Sequence, residues 1–455
     1  MGMRRVFTAL AATVLSVALA APAVRAETLA DALVAAYRNS NLLEQNRALL
    51  RATDEDVVQA RAAILPVLNF VTSATSNVAQ ARLVAEMPLI DFGRGRLGIE
   101  TAREQVLALR AALIGIEQQV LLRAIGAFVE MQTAAQVIGL RQSNVELIQQ
   151  ELRAARERFE LGDSTRTDVA IAEARLAAAR SALSAAEGDL DVARESFRLA
   201  VGRYPGQLAA LPGLPRMPAS LEAGQATARA SHPAITQAQH QVRVADLTAE
   251  IARTQRRGTV TGEISAEVTR AQPQGIGGGR RTTSDLNAGV RWSVPLYQGG
   301  RLASGERQAL ARSQGERASL HQTVAEIQQA VASNWSRLAV ARAQIRSSEQ
   351  QIVAARAAFE ALRAEAELGA RTTLDVLNAE QDLLDAEFTR IEAGAALQLA
   401  SYSLLESTGQ LTVHALNLGI PTYDVEAYSS GFRPAARTPS VQGQRLDAIM
   451  GRYGN

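Results

Sequence analysis

The chain holds four histidines, His232, His240, His321 and His414, and no cysteine, so metal or acid–base chemistry would have to be built from these imidazoles and from carboxylates. The histidines share no ligand spacing with acids, and no GxxxxGK[ST] phosphate loop, HExxH helix or GxSxG elbow occurs. His232 and His240 stand beside a proline-rich stretch and read as solvated helix residues. No catalytic residue, metal ligand or cofactor is therefore expected, and the chain is not read as an enzyme. What recurs is hydrogen-bonding chemistry of another kind, Thr165-x-x-Asp168 and Thr372-x-x-Asp375. In such a box the hydroxyl accepts from an N–H of the first helical turn while the carboxylate returns to the cap N–H, so each pair opens a helix. Gly162 and Gly369 stand just before the boxes, where an arriving helix needs a left-handed residue to end on. Glu173 and Glu380, one in each copy, read as exposed helix positions.

Both boxes belong to a duplication. Leu161-Gly162-x-x-Thr165-x-x-Asp168-Val169-x-x-Ala172-Glu173-x-x-Leu176 returns 207 residues later as Leu368-Gly369-x-x-Thr372-x-x-Asp375-Val376-x-x-Ala379-Glu380-x-x-Leu383. At the same offset of 207, Pro88-Leu89-Ile90-Asp91-Phe92-Gly93-Arg94 returns as Pro295-Leu296-Tyr297-Gln298-Gly299-Gly300-Arg301. One offset for both blocks means that everything between them has equal length in the two copies, which predicts a pseudo-symmetric wall.

The elements that must position these turns are long helices. Runs 89–204 and 296–420 contain no proline, the strongest helix breaker. Within them Ile138, Arg141, Val145, Ile148, Leu152, Ala155 and Phe159 follow 3-4 spacing, as do Val169, Ala172, Leu176, Ala179, Leu183, Ala186, Leu190, Ala193 and Phe197. Their counterparts in the second copy keep the phase. These are coiled-coil seams whose small residues let helices approach closely. A single helix over 94–160 would span about 100 Å at 1.5 Å per residue, the reach of something bridging a wide gap.

Each long helix follows a candidate strand hairpin. Val260, Gly262, Ile264, Ala266 and Val268 alternate with polar residues, and Leu286, Ala288, Val290, Trp292, Val294 and Leu296 do the same. The connection 272–284 is polar and glycine-rich. In the first copy Leu68, Phe70, Thr72 and Ala74 pair in pattern with Leu83, Ala85, Met87 and Leu89. Segments of about ten residues with one apolar face are the signature of a transmembrane β-barrel, which would put Val290, Trp292 and Val294 against lipid. Four strands are too few to close a barrel, so the chain is expected to oligomerise.

Arg4 and Arg5 precede an apolar run and Val24-Arg25-Ala26 offers a cleavage site, so residues 1–26 read as a signal peptide and the mature chain as starting at Glu27. Removing the leader leaves 45 arginines against 46 acids, and a near-neutral chain has no electrostatic case for nucleic acid. No lysine is present; all 48 basic residues are arginine.

With hairpins, helices and turns in hand, the chain resembles the TolC family of outer-membrane factors. The similarity covers about residues 27–411 and rests on the paired hairpins, the PLIDFGRGR and PLYQGGR junctions and the LGDSTRTDV and LGARTTLDVLNAE turns. It implies a mainly α protein with a small β part: a homotrimer with a twelve-stranded barrel in the outer membrane and a twelve-helix barrel crossing the periplasm. It implies docking of a periplasmic adaptor, fed by an inner-membrane transporter, at tips formed by Leu161, Gly162, Leu368 and Gly369. It further implies a periplasmic constriction at Asp168, Arg371 and Asp375; the family's second acidic position and a nearby tyrosine are here Asn378 and Ala366. The expected function is an exit duct for type I protein secretion or multidrug efflux, the alternative being a periplasmic helical-hairpin adaptor or structural rod. The expected organisation is a first repeat over 27–218 (strands 64–90, helices 94–201) and a second over 219–411 (strands 258–297, helices 300–410). Residues 412–455 read as a polar, partly disordered tail.

Overall fold

The computed structural model describes residues 26–162, 164–271, 281–368, 370–421 and 423; the proposed leader up to residue 25 lies outside them. In chain order the elements are α1 (Leu29–Asn39), α2 (Asn41–Ala62), β1 (Val67–Ala74), β2 (Val78–Ile90), α3 (Arg94–Leu161), α4 (Arg166–Val201), α5 (Leu221–Ser231), α6 (Pro233–Thr254), β3 (Thr259–Ala271), β4 (Arg281–Ser293), α7 (Arg301–Glu367) and α8 (Thr373–Ser407). The fold is mainly helical with one small sheet. α3 and α7 are single helices of 68 and 67 residues that start 207 positions apart, as the proline-free runs predict. An apolar window of α3 with mean hydropathy 1.4 is half buried within the chain, as a core helix would be.

The chain divides into two compact units, each drawing on both halves of the sequence. The first comprises Met1–Asn41, Glu117–Ala228 and Gln328–Leu418. Its core includes Phe128 stacked obliquely on Phe197, with ring centroids 6.4 Å apart. The seam residues Ala172, Ala179, Ala186 and Ala193 are all buried there. Glu27 is tied in by a parallel bridge to Leu208 and an ion pair with Arg203 at 2.7 Å. The expected polar tail does not begin at residue 412. Leu411 and Val413 are buried and the Val413 N–H donates to the Glu117 carboxylate at 2.7 Å, because alternate apolar residues here turn inward against α3. Of the remainder, 422 and 424–455 lie outside the described residues.

The second unit comprises Leu42–Ile116, Arg229–Ile327 and Gly419–Asn455, and contains the sheet. Here the histidines depart from expectation. His232 is buried and its ring accepts from the Ala234 N–H, capping α6 ahead of Pro233, and burial pulls its pKa down. His240 is half-buried, with its ring Nδ1 2.7 Å from the Glu104 carboxylate. Proline at the first helical position has no N–H to satisfy, and the His232 ring takes the next free donor of the turn, the Ala234 N–H.

The sheet is antiparallel in the order β1-β2-β3-β4. Residues directly opposite share a face, so the register sorts the side chains. Leu68, Ala85, Ile264 and Ala288 form one row and Phe70, Leu83, Ala266 and Leu286 the next. On the other face Val71, Arg82, Glu267 and Asp285 align. There Glu263 receives Arg82 at 2.6 Å and Arg291 at 3.4 Å. Of the connection expected at 272–284, residues 281–284 belong to β4 instead; its two threonines favour an extended ladder that outruns the apolar band. Residues 272–280 lie outside the described set.

Candidate functional site

Two regions carry the residues singled out from the sequence: the turns between paired helices and the apolar face of the sheet. At the first turn α3 ends on Leu161, 77% exposed, and Gly162 takes φ +85°, the left-handed conformation that a side chain disfavours. The Thr165 Oγ1 then accepts from the Asp168 N–H at 3.2 Å, while Asp168 Oδ2 accepts from the Thr165 N–H at 2.9 Å and from the Ser164 hydroxyl at 3.1 Å. The second turn repeats this box between Thr372 and Asp375, with corresponding distances of 3.2 and 3.1 Å. Leu368 is 86% exposed; Gly369 lies outside the described residues.

Hydrogen bonds from the Thr165 backbone, then from its hydroxyl, hold the Asp168 pKa below the ordinary carboxylate value. For Asp375 the Thr372 hydroxyl comes first, then the backbone, with a smaller contribution from Arg371. Arg371 forms its ion pair with Glu365 at 2.8 Å, which raises its pKa, and not with Asp168. Within one chain, then, the three charged positions are not drawn into one cluster. Ala366 is buried and Asn378 accepts from Arg175 at 3.0 Å.

Just inside the turns lies a polar group that sequence reasoning missed. Glu380, expected to be exposed, is 3% exposed, whereas its repeat counterpart Glu173 is solvent-exposed and paired with Arg156. The Glu380 Oε1 accepts from Asn144 Nδ2 on α3 at 2.7 Å and its Oε2 is buried without a partner. Glu151, also buried, faces it from α3 and is itself 3.5 Å from Arg363 Nε of α7. Burial first, then repulsion by Glu151, pushes the Glu380 pKa up to about 7 against the bonds from Asn144 and the attraction of Arg175. The difference between the copies is one of packing: α8 lies on α3 and buries Glu380, whereas Glu173 on α4 stays exposed beside Arg156. Helical phase offered a partial signal, since Glu380 follows Val376 and Leu377 by four and three residues.

On the sheet, Val290 and Trp292 are 69% and 70% exposed on the apolar face. Val294 differs from expectation: it lies just beyond the end of β4 and is half-buried, because Pro295, lacking an N–H, cannot extend the ladder. The strand-to-helix junctions are built alike. Gly299 and Gly300 take φ of +57° and +82°, and Phe92 and Gly93 take +54° and +85° at the equivalent places. Asp91 receives the Gly93 and Gly95 N–H groups at 2.9 and 2.6 Å, starting α3 directly off the sheet.

Comparison with known proteins bears on this arrangement. The sequence model of a family described as outer membrane efflux protein matches residues 32–203 and 226–410. The chain is 32% identical over 426 residues to the outer membrane efflux protein BepC of Brucella suis biovar 1, covering 90% of this chain and 91% of BepC. It is 25% identical over 467 residues to the outer membrane protein TolC of Escherichia coli K12, covering 91% and 92% of the two chains. Among solved structures, CusC, described as forming a transmembrane channel, superposes with a TM-score of 0.74 at 18% identity, covering 84% of this chain and 92% of that one.

Proposed function

Because the chain belongs to the outer membrane efflux protein family and is an outer-membrane exit duct for efflux or secretion, we propose that it works as a homotrimer, its sheets closed into one twelve-stranded barrel and its long helices continued as a twelve-helix duct through the periplasm. One observation carries this reading: the sheet has a continuous exposed apolar face, and its outer edges, β1 and β4, are unpaired among the described residues. Open edges are not tolerated in lipid, so the sheet must be completed by other chains. About eight strands make a barrel that its own side chains fill, so two copies would leave no duct, whereas three give twelve strands and an open lumen. Val290 and Trp292 then face lipid and Arg291 and Ser293 the lumen, with Val294 at the junction to the helices.

Exposed Leu161 with Gly162, and exposed Leu368 with its sequence neighbour Gly369, form the periplasmic tips that dock an adaptor, and an inner-membrane transporter supplies the energy. Asp168, Arg371 and Asp375 line the constriction at those tips, Asp375 favouring cations. In the trimer, neighbouring tips bring Asp168 and Arg371 within reach of each other. An exposed pair is worth only about 0–1 kcal/mol, but threefold repetition multiplies it at the end of a long lever. Single-channel conductance in planar bilayers tests this: Arg371→Ser combined with Asp168→Ala should raise conductance. Unchanged conductance with wild-type trimer stability would leave these residues as helix caps only.

A further inference from the structure

Glu380 sits where the two helical hairpins of the chain meet. On one side Leu377 joins a core with Val145, Ile148 and Leu152 of α3 and with Ala172 and Leu176 of α4. On the other, Val376 and Ala379 pack with Phe359 and Ala366 of α7. The carboxyl between these two cores has one oxygen bonded to Asn144 and the other enclosed without a donor. An ionised carboxylate accepts only, and an enclosed oxygen lacking a donor makes the charged form costly, whereas a protonated carboxyl can itself donate. The groups that face the site are the Glu151 carboxylate from α3, the Arg175 guanidinium from α4 and, through Glu151, the Arg363 guanidinium from α7. Arg175 is engaged with Asn378 and Arg363 with Glu151, so neither neutralises Glu380 directly.

We infer that Glu380 is a proton-operated pin between the hairpins: protonated, it stays in the α3–α8 seam, and ionised, it is repelled by Glu151 and the seam loosens. The displacement of its pKa to about 7 puts the change within the pH range of the cell envelope's surroundings. The geometry of the pin is independent of the duct reading, but its consequence rests on that reading: a seam that loosens just inside the tips frees the second hairpin to swing, so the duct opens more readily as pH rises.

Hydrogen exchange on the full-length protein in detergent, corrected for intrinsic rates, tests the pin directly. Protection of α8 over residues 376–386 should fall between pH 4.5 and about 7, by at most about tenfold per pH unit, the limit for one proton released on opening, and level off above that window. Residues 169–180 of α4, which carry exposed Glu173, should show no such slope. Glu380→Gln, which keeps the shape and the bond from Asn144 and adds a donor towards Glu151, should abolish the slope. Glu151→Gln should move the slope to lower pH. A flat wild-type profile, or a slope that survives in either variant unchanged, overturns the proposal. Bilayer recordings keep the two readings apart: conducting channels without the protection slope refute the pin alone, and an intact slope without conductance refutes the duct alone.

Discussion

The capping boxes of the two turns and the buried Glu380 carboxylate respond to pH with opposite sign. Asp168 and Asp375 have lowered pKa values, so their caps contribute above the unfolded value of 3.8 and are lost as pH falls through the still lower folded value. Glu380 has a raised one, so the folded chain holds a proton that the unfolded chain releases between pH 4.5 and about 7. Its contribution is complete below 4.5 and declines through that window, by at most about 1.4 kcal/mol per pH unit. Thermal unfolding across pH 3 to 8 should therefore show stability rising and then falling, with the falling limb made shallower and the rising limb unchanged in Glu380→Gln. Thr165→Ala and Thr372→Ala should each cost about 1 kcal/mol, read from the same melts. The boxes were legible because a cap is settled within four residues of chain. Glu380 was not, because its partner Asn144 is 236 positions away and the repeat made it look equivalent to Glu173. His232 failed for a related reason: its role depends on a single cap bond that composition does not announce.

At the scale of elements, periodicity carried most of the information. Proline-free runs with 3-4 spacing became α3, α4, α7 and α8, and strict alternation became β3 and the apolar half of β4. The buried alanines give a sharp check on the seams. Ala172 is 0% exposed among residues of α3, α4 and α8, so Ala172→Phe should overpack and cost about 1–3 kcal/mol, while the same change at exposed Arg180 should cost little. Equal melting of the two variants would discard the seam. On the sheet, Val290→Arg should destabilise the membrane-inserted form by about 2–4 kcal/mol if it lies near mid-membrane, seen as a lowered temperature for loss of heat-modifiable migration. Element ends were less legible than element cores. Arg281–Ser284 extend β4 without an apolar face, and Leu411 and Val413 fold back against α3 on two side chains too few to make a pattern.

For the molecule as a whole, the 207-residue offset was the most informative single feature, since it set two hairpins and two long helix pairs before any element was drawn. It did not reveal how the copies differ. In the proposed trimer the difference acquires a geometric meaning. Each chain supplies an internal joint, α8 on α3, and the repeat demands a matching joint between chains, where α4 of one protomer meets α7 of the next. The residues that would stand opposite Glu173 there, at the positions equivalent to Asn144 and Glu151, are Gln351 and Ala358. The facing acid is absent, so in this trimer the joints between chains would lack the proton response inferred for the joints within them. Of the six seams around the ring, alternate ones alone would breathe with pH, and the aperture would widen as a three-petalled iris and not as a uniform circle.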